Sequence, residues 1–173
     1  MPFCHIPWTN IDISPRGDFS PCCKFKYEHY TEKPHNITTS SIKNYLNSPV
    51  LKEVKEDFKN NIWPKGCERC KIEEQNNIQS KRQLDYVRWK EHFDRYNTDT
   101  DGFLTASVAF GNTCNLKCIT CGPDSSSKWY KEYKEIYNKD VKPVHFYREN
   151  FVDELISQST NLIHLDIPGG EPF

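Results

Sequence analysis

The chain has 173 residues, 36% hydrophobic and 13% aromatic, with 23 Lys and Arg against 24 Asp and Glu for a formal net charge of −1. That composition can fill one domain or two small ones and excludes a disordered chain, while near-zero charge without a long Lys/Arg run argues against nucleic acid as the main partner. No apolar run reaches the length that spans a bilayer, and Met1-Pro-Phe-Cys-His-Ile-Pro-Trp8 lacks the basic and apolar regions of a signal peptide. The expected location is the cytoplasm, with no membrane partner. Thiols stay reduced there, so eight cysteines point to metal or catalysis rather than disulfides.

The cysteines fall into two groups, Cys4, Cys22, Cys23, Cys67 and Cys70, then Cys114, Cys118 and Cys121, which divides the chain into two units. In the first, Trp8–Ile13 and Phe19–Cys22 flank the turn sequence Ser14-Pro-Arg-Gly-Asp18 and predict a hairpin. A polar loop follows. Ser48 and Pro49 then read as N-cap and first residue of a helix carrying Leu51, Val54 and Phe58, which ends near Asn60 and Asn61. Trp63-Pro-Lys-Gly66 turns the chain into Cys67-Glu-Arg-Cys70, and a polar helical segment with Leu84, Val87 and Phe93 runs on to about Tyr96. Asn97-Thr-Asp-Thr-Asp-Gly102 is the expected linker.

The second unit opens with Phe103–Phe110, a predicted buried strand. The cysteine loop Gly111-Asn-Thr-Cys-Asn-Leu-Lys-Cys-Ile-Thr-Cys-Gly-Pro123 follows it. Ser125 to Ser127 offer N-caps for an amphipathic helix whose Trp129, Tyr130, Tyr133, Ile136 and Tyr137 share one face. A second helical pattern, Phe151, Val152, Leu155 and Ile156, precedes a strand at Leu162–Ile167. These elements form a βαβ unit with both strand ends at one edge of a parallel sheet, beyond which ligands of such sheets bind. The cysteine loop and Gly169-Gly-Glu-Pro172 are both expected at that edge. The six histidines are scattered and read as surface or packing residues; alternation leaves open which face His164 takes.

Cys-x3-Cys-x2-Cys after a first strand, followed by Gly-Gly-Glu-Pro after a second, resembles the radical S-adenosylmethionine (SAM) superfamily. The resemblance implies that Cys114, Cys118 and Cys121 bind three irons of a [4Fe-4S] cluster, leaving the fourth iron for the amino and carboxylate groups of SAM. It implies one-electron cleavage of SAM to a 5′-deoxyadenosyl radical that takes hydrogen from a substrate. It assigns Gly169, Gly170, Glu171 and Pro172 to the SAM amino group, with Glu171 a nearby negative charge rather than a direct ligand. Thr120 stands where many relatives carry an aromatic residue beside the adenine. Zinc is the competing reading for Cys-x2-Cys pairs, but a zinc site is normally closed by four ligands, and the triplet has no His or fourth Cys at zinc-like spacing.

The first unit, with Cys4, Pro7-Trp8, Gly17, Pro21-Cys22-Cys23 and Trp63-Pro-Lys-Gly-Cys-Glu-Arg-Cys70, resembles the twitch/SPASM type of auxiliary-cluster module. That likeness implies a second [4Fe-4S] cluster on Cys4, Cys22, Cys67 and Cys70. Cys23 is a neighbour or a substitute ligand, and a zinc site on the same four residues is the alternative. The expected fold class is α/β, the first βαβ portion of a radical SAM partial (β/α)6 barrel preceded by a small α+β cysteine-rich module. The expected organisation is residues 1–96, a linker at 97–102, and a truncated core at 103–173. A complete barrel runs to about 250 residues, so the sequence reads as an N-terminal fragment whose second strand has an open edge.

The implied function is a radical SAM enzyme acting on a peptide or protein side chain, with reduced flavodoxin or ferredoxin as electron donor. A small-molecule substrate, or a non-catalytic iron–sulfur or zinc electron-transfer module, is the alternative.

Overall fold

The computed structural model describes residues 3–93, 102–140, 144 and 148–170. Residues 97–101 of the expected linker lie outside the described residues, as does His145.

Cys4 leads into a one-turn helix α1 (Ile6–Thr9), begun by Pro7, whose fixed φ suits a first turn. Trp8 and Thr9 are therefore helical, and the expected first strand is confined to β1 (Asn10–Ile13). β1 turns back into β2 (Phe19–Ser20), with Asp12 opposite Ser20 and Ile13 opposite Phe19. The turn needs Gly17 at a φ of 83°, a conformation that a side chain would strain.

Within the polar loop lies a short helix α2 (Ile42–Leu46), capped by the Ser41 side chain, which accepts the Asn44 amide. The next helix, α3 (Pro49–Lys59), starts as expected, with the Ser48 hydroxyl accepting the Leu51 amide. A 3-10 turn at Lys65–Cys67 feeds α4 (Glu68–Gln75), and α5 (Lys81–Phe93) follows.

β3 (Thr105–Val108) is shorter than the expected strand, and β4 (His164–Asp166) pairs with it in parallel, so the βαβ connection is present. Between them stand α6 (Tyr130–Tyr137) and α7 (Phe151–Ser157). The apolar stripe of α6 is covered only at its start, where Trp129, Tyr130 and Tyr133 are half-buried, while Ile136 is 70% and Tyr137 59% exposed. α7 buries Phe151 and Leu155 and leaves Val152 and Ile156 in solvent.

The sheet order is β2-β1-β3-β4. β1 pairs with β3 in parallel, Asn10 opposite Thr105 through Ile13 opposite Val108, so the strands of the two expected units share one mixed sheet. Each strand alternates. Ile11, Ile13, Phe19, Ala106 and Val108 point to one face and are buried with Ile42, Tyr45, Leu51, Phe103, Phe151 and Leu155. The other face carries two polar rows, Asn10-Thr105-His164 and Ser20-Asp12-Ser107-Asp166, from the same register. A second apolar cluster is made of Cys4, Ile6, Phe25, Val50, Val54 and Phe58, with Cys22 and Cys67 packed against it. α3 bridges the two clusters, Leu51 facing one and Val54 and Phe58 the other. No helix among the described residues is long and apolar enough to cross a membrane.

Candidate metal centres

The first centre is assembled from three segments. Cys4 is buried ahead of α1, Cys22 follows β2, and Cys67 caps α4 while Cys70 sits in its first turn. The segments are tied by backbone and charge. Lys26 donates its amide to the Gly66 carbonyl at 3.1 Å, and Lys24 donates to Glu73 of α4 at 2.8 Å. Gly66 has no room for a side chain, since a Cβ would lie 2.4 Å from the Phe25 ring and 2.8 Å from the Lys26 carbonyl.

Burial governs the thiols. It pushes Cys4 well above the ordinary thiol range, with the neighbouring Cys22, Cys67 and Cys70 adding to the effect. Burial raises Cys22 to about 12 and drives Cys67 up as well. Cys4, Cys22 and Cys67 hold their protons and are costly to ionise in an apolar pocket unless a metal compensates the charge, so metal binding and proton release are coupled there. All are free, without disulfides. The donor set, four soft sulfurs in a shell of apolar and aromatic side chains, fits an iron–sulfur group. Cys23 is exposed and has Lys81, Asp12, Asp85 and Lys24 as its charged neighbours, on the polar side of the sheet. His5 packs against Phe93 and Tyr86 of α5, and burial lowers its pKa to about 4, so it is neutral near pH 7.

The second centre is the loop after β3. Cys114 and Cys121 are half-buried and Cys118 is exposed. Leu116 donates its amide to Cys114 Sγ at 3.3 Å, the kind of contact that tunes a metal-bound thiolate. The start of α6 buttresses the loop: Trp129 Nε1 donates to the Cys118 carbonyl at 3.1 Å, Ser126 Oγ to the Leu116 carbonyl at 2.6 Å, and Ser127 Oγ accepts the Cys114 amide. Lys117 pairs with Glu132 and lies over the Trp129 ring. Asn112, 1% exposed, is the hub that closes the loop. Its amide donates to the Pro123 carbonyl at 2.8 Å, and its Oδ1 accepts the Val144 amide at 2.7 Å.

Gly169 and Gly170, at φ of 79° and 61°, come back onto this loop. Gly170 donates its amide to the Ser125 carbonyl at 2.8 Å, and a Cβ there would lie 2.7 Å from the Thr113 carbonyl. Glu171 and Pro172 lie outside the described residues. Thr120 is exposed on the loop beside Ile119, which is 93% exposed. Among the described residues no three His, Cys, Asp or Glu side chains are grouped to hold a single metal ion.

Sequence reading did not pick out Asn112 or the polar rows of the sheet, and it placed Trp129 on an apolar helix face rather than against the cysteine loop. The rows had a local signal, the strict alternation of Asn10-Ile-Asp-Ile13, Thr105-Ala-Ser-Val108 and His164-Leu-Asp166, which becomes meaningful once the strands are known to be adjacent.

Residues 4–71 match the family model of SPASM, an iron–sulfur cluster-binding domain. The match contains all five cysteines of the first group and supports a SPASM-type module in this part of the chain. Comparison with curated proteins and with solved structures finds no match.

Proposed function

We propose that the chain is part of a radical SAM enzyme, with an open [4Fe-4S] cluster on Cys114, Cys118 and Cys121 and an auxiliary [4Fe-4S] cluster on Cys4, Cys22, Cys67 and Cys70. Gly169 and Gly170 would hold SAM, with Glu171 and Pro172 in the same segment and Thr120 toward the adenine. The β3–β4 pair begins a partial (β/α)6 barrel. The reading is carried by the docking of Gly169 and Gly170 on the cysteine loop, through the Gly170 amide and the Ser125 carbonyl. Two segments separated by more than forty residues thereby meet beyond the carboxyl ends of adjacent parallel strands, where such sheets bind ligands.

A cluster held by Cys114, Cys118 and Cys121 would supply one-electron reduction of the SAM sulfonium. The chain's residues do the rest. Asn112 and Ser127 hold the loop closed around its thiols, Trp129 and Ser126 fix its far side, and the two glycines let the backbone approach the ligand closely. The substrate is a peptide or protein side chain, and a reduced flavodoxin or ferredoxin in the cytoplasm is the donor.

The test is anaerobic reconstitution followed by iron and sulfide analysis, with electron paramagnetic resonance of the reduced protein with and without SAM. About eight irons per chain, with a signal altered by SAM, is the expected result. Zinc alone, or iron with a spectrum indifferent to SAM, overturns the reading.

A further inference from the structure

β1, β3 and β4 run parallel, with Ile13 opposite Val108 and Ser107 opposite Asp166, so all three end at the same edge of the sheet. Three segments leave that edge side by side: the hairpin turn Ser14-Pro-Arg-Gly-Asp18 after β1, the cysteine loop after β3, and Gly169 and Gly170 after β4. Ligands of such sheets lie beyond the carboxyl ends of the strands. The first module thus sends a segment of its own to the edge where the proposed SAM site is built.

The turn is held stiff. The Ser14 hydroxyl accepts the Arg16 and Asp18 amides at 3.2 and 3.1 Å. The Asn36 side-chain amide donates to the Arg16 carbonyl and to the Asp18 carboxylate, each at 2.8 Å. Its tip meets the other two segments. Arg16 donates to the Asp124 carboxylate at 3.0 Å, across 108 residues, and a Cβ at Gly169 would touch the Pro15 ring at 3.8 Å. Pro15, Ser125 and Gly169 line one cavity of about 500 Å³.

Asp124 is the middle of three consecutive residues, each tied to a different part of the chain. The Pro123 carbonyl accepts from the Asn112 side chain, the Asp124 carboxylate from Arg16, and the Ser125 carbonyl from the Gly170 amide. This short stretch is what joins the thiols to the glycines. Without Arg16 it keeps its two outer ties and loses the central one. Both ends of the ion pair are in solvent, so it adds little to global stability. Its effect is orientation, because a binding segment is only as well placed as the contacts that support it.

Resting on the reading above, in which Gly169 and Gly170 hold SAM, we propose that Arg16 is a positioning residue for that site: through Asp124, the hairpin turn of the first module sets the placement of the glycine segment and with it the affinity for SAM.

The test compares the full, anaerobically reconstituted chain with Arg16→Gln, with Arg16→Lys, and with the charge-swapped pair Arg16→Asp and Asp124→Arg. SAM is titrated against each reduced protein, read by its paramagnetic resonance signal. Amide hydrogen exchange of the peptide carrying Gly169 and Gly170 is followed by mass spectrometry without SAM. Arg16→Gln should bind SAM about two- to fivefold more weakly, the range of an exposed ion pair, and exchange faster at the glycines, with iron content and thermal midpoint at the wild-type level. Arg16→Lys should keep most of the affinity, and the swapped pair should recover it, which a change of packing alone would not do. Unchanged SAM affinity or unchanged exchange in Arg16→Gln overturns the proposal, and so does a loss that the swapped pair fails to recover. Each of those outcomes leaves the SAM assignment standing. A wild-type spectrum indifferent to SAM overturns that assignment and this proposal with it, so the two failures are told apart by the wild-type titration.

Discussion

Asn112 and Pro123 close the cysteine loop on each other: the side-chain amide of the first donates to the carbonyl of the second at 2.8 Å, across the span that holds all three thiols. Asn112→Ala leaves the Pro123 carbonyl and the Val144 amide without this partner in a buried place, at about 1–3 kcal/mol for each unsatisfied group. The expected outcome is a lower urea midpoint and loss of iron from the loop, with iron retained at the first centre. Asn112→Asp keeps the acceptor for Val144 but loses the donor to Pro123, and should fall between. A spectrum unchanged by either variant would show that the loop does not depend on this hub.

Gly66→Ala drives a methyl into the Phe25 ring and the Lys26 carbonyl. Overpacking of this kind costs about 1–3 kcal/mol. Here it also parts the two segments that bring Cys22 and Cys67 together. Thermal unfolding should shift down, and iron at the first centre should be lost before iron at the loop. Equal loss at both centres would contradict the separate support described for each.

The thiols should differ sharply in reactivity in metal-free protein. Burial holds the protons on Cys4, Cys22 and Cys67, and Cys4 is 7% exposed, whereas Cys118 lies in solvent. Because the thiolate is the nucleophile, timed iodoacetamide labelling read by mass spectrometry should modify Cys118 early and Cys4 last. Prior reconstitution with iron and sulfide should protect both groups. Early labelling of Cys4 would mean that the first centre opens without metal.

Asp12 gives the fold a pH dependence of definite sign. Its carboxyl titrates near 6 when folded and near the ordinary 3.8 when unfolded, so between those values the folded chain binds the proton more tightly. Stability therefore falls as pH rises from about 4 to about 6 and levels off above that. Urea midpoints across this window should decline for the wild type. For Asp12→Asn, which keeps the shape and drops the charge, this contribution should vanish. An identical slope in both proteins would assign it to another group.

Much of the local structure was legible because single residues announce it. Ser48 and Pro49 mark a helix start by cap and fixed φ, and Gly17 marks the hairpin turn. The βαβ pattern placed the triplet loop and the glycine pair at one sheet edge, and the Gly170 amide does reach the Ser125 carbonyl there. Other elements were hidden by competing signals. Ser41, Ile42 and Tyr45 carry a cap and a buried pair, yet the surrounding Thr, Ser and Asn read as loop. The stripe on α6 has the period of a packed face, but period says only that a face exists, not what covers it. The β1–β3 pairing had no local mark, because parallel strands distant in sequence are chosen by tertiary packing, and the alignment of the polar rows depends on that pairing.

Asn10 and Thr105 share a hydrogen bond across 95 residues. On a ribosome elongating at roughly 5–20 residues per second, the inner strand of the hairpin waits about 5–20 s for its neighbour to be made. Cys4 is already made by then, and Cys22, Cys67 and Cys70 all follow within that wait. Cluster delivery to the first centre thus has a head start on closure of the sheet, and a shortage of iron during synthesis would prolong the lifetime of a nascent chain whose β1 edge is still open to wrong partners.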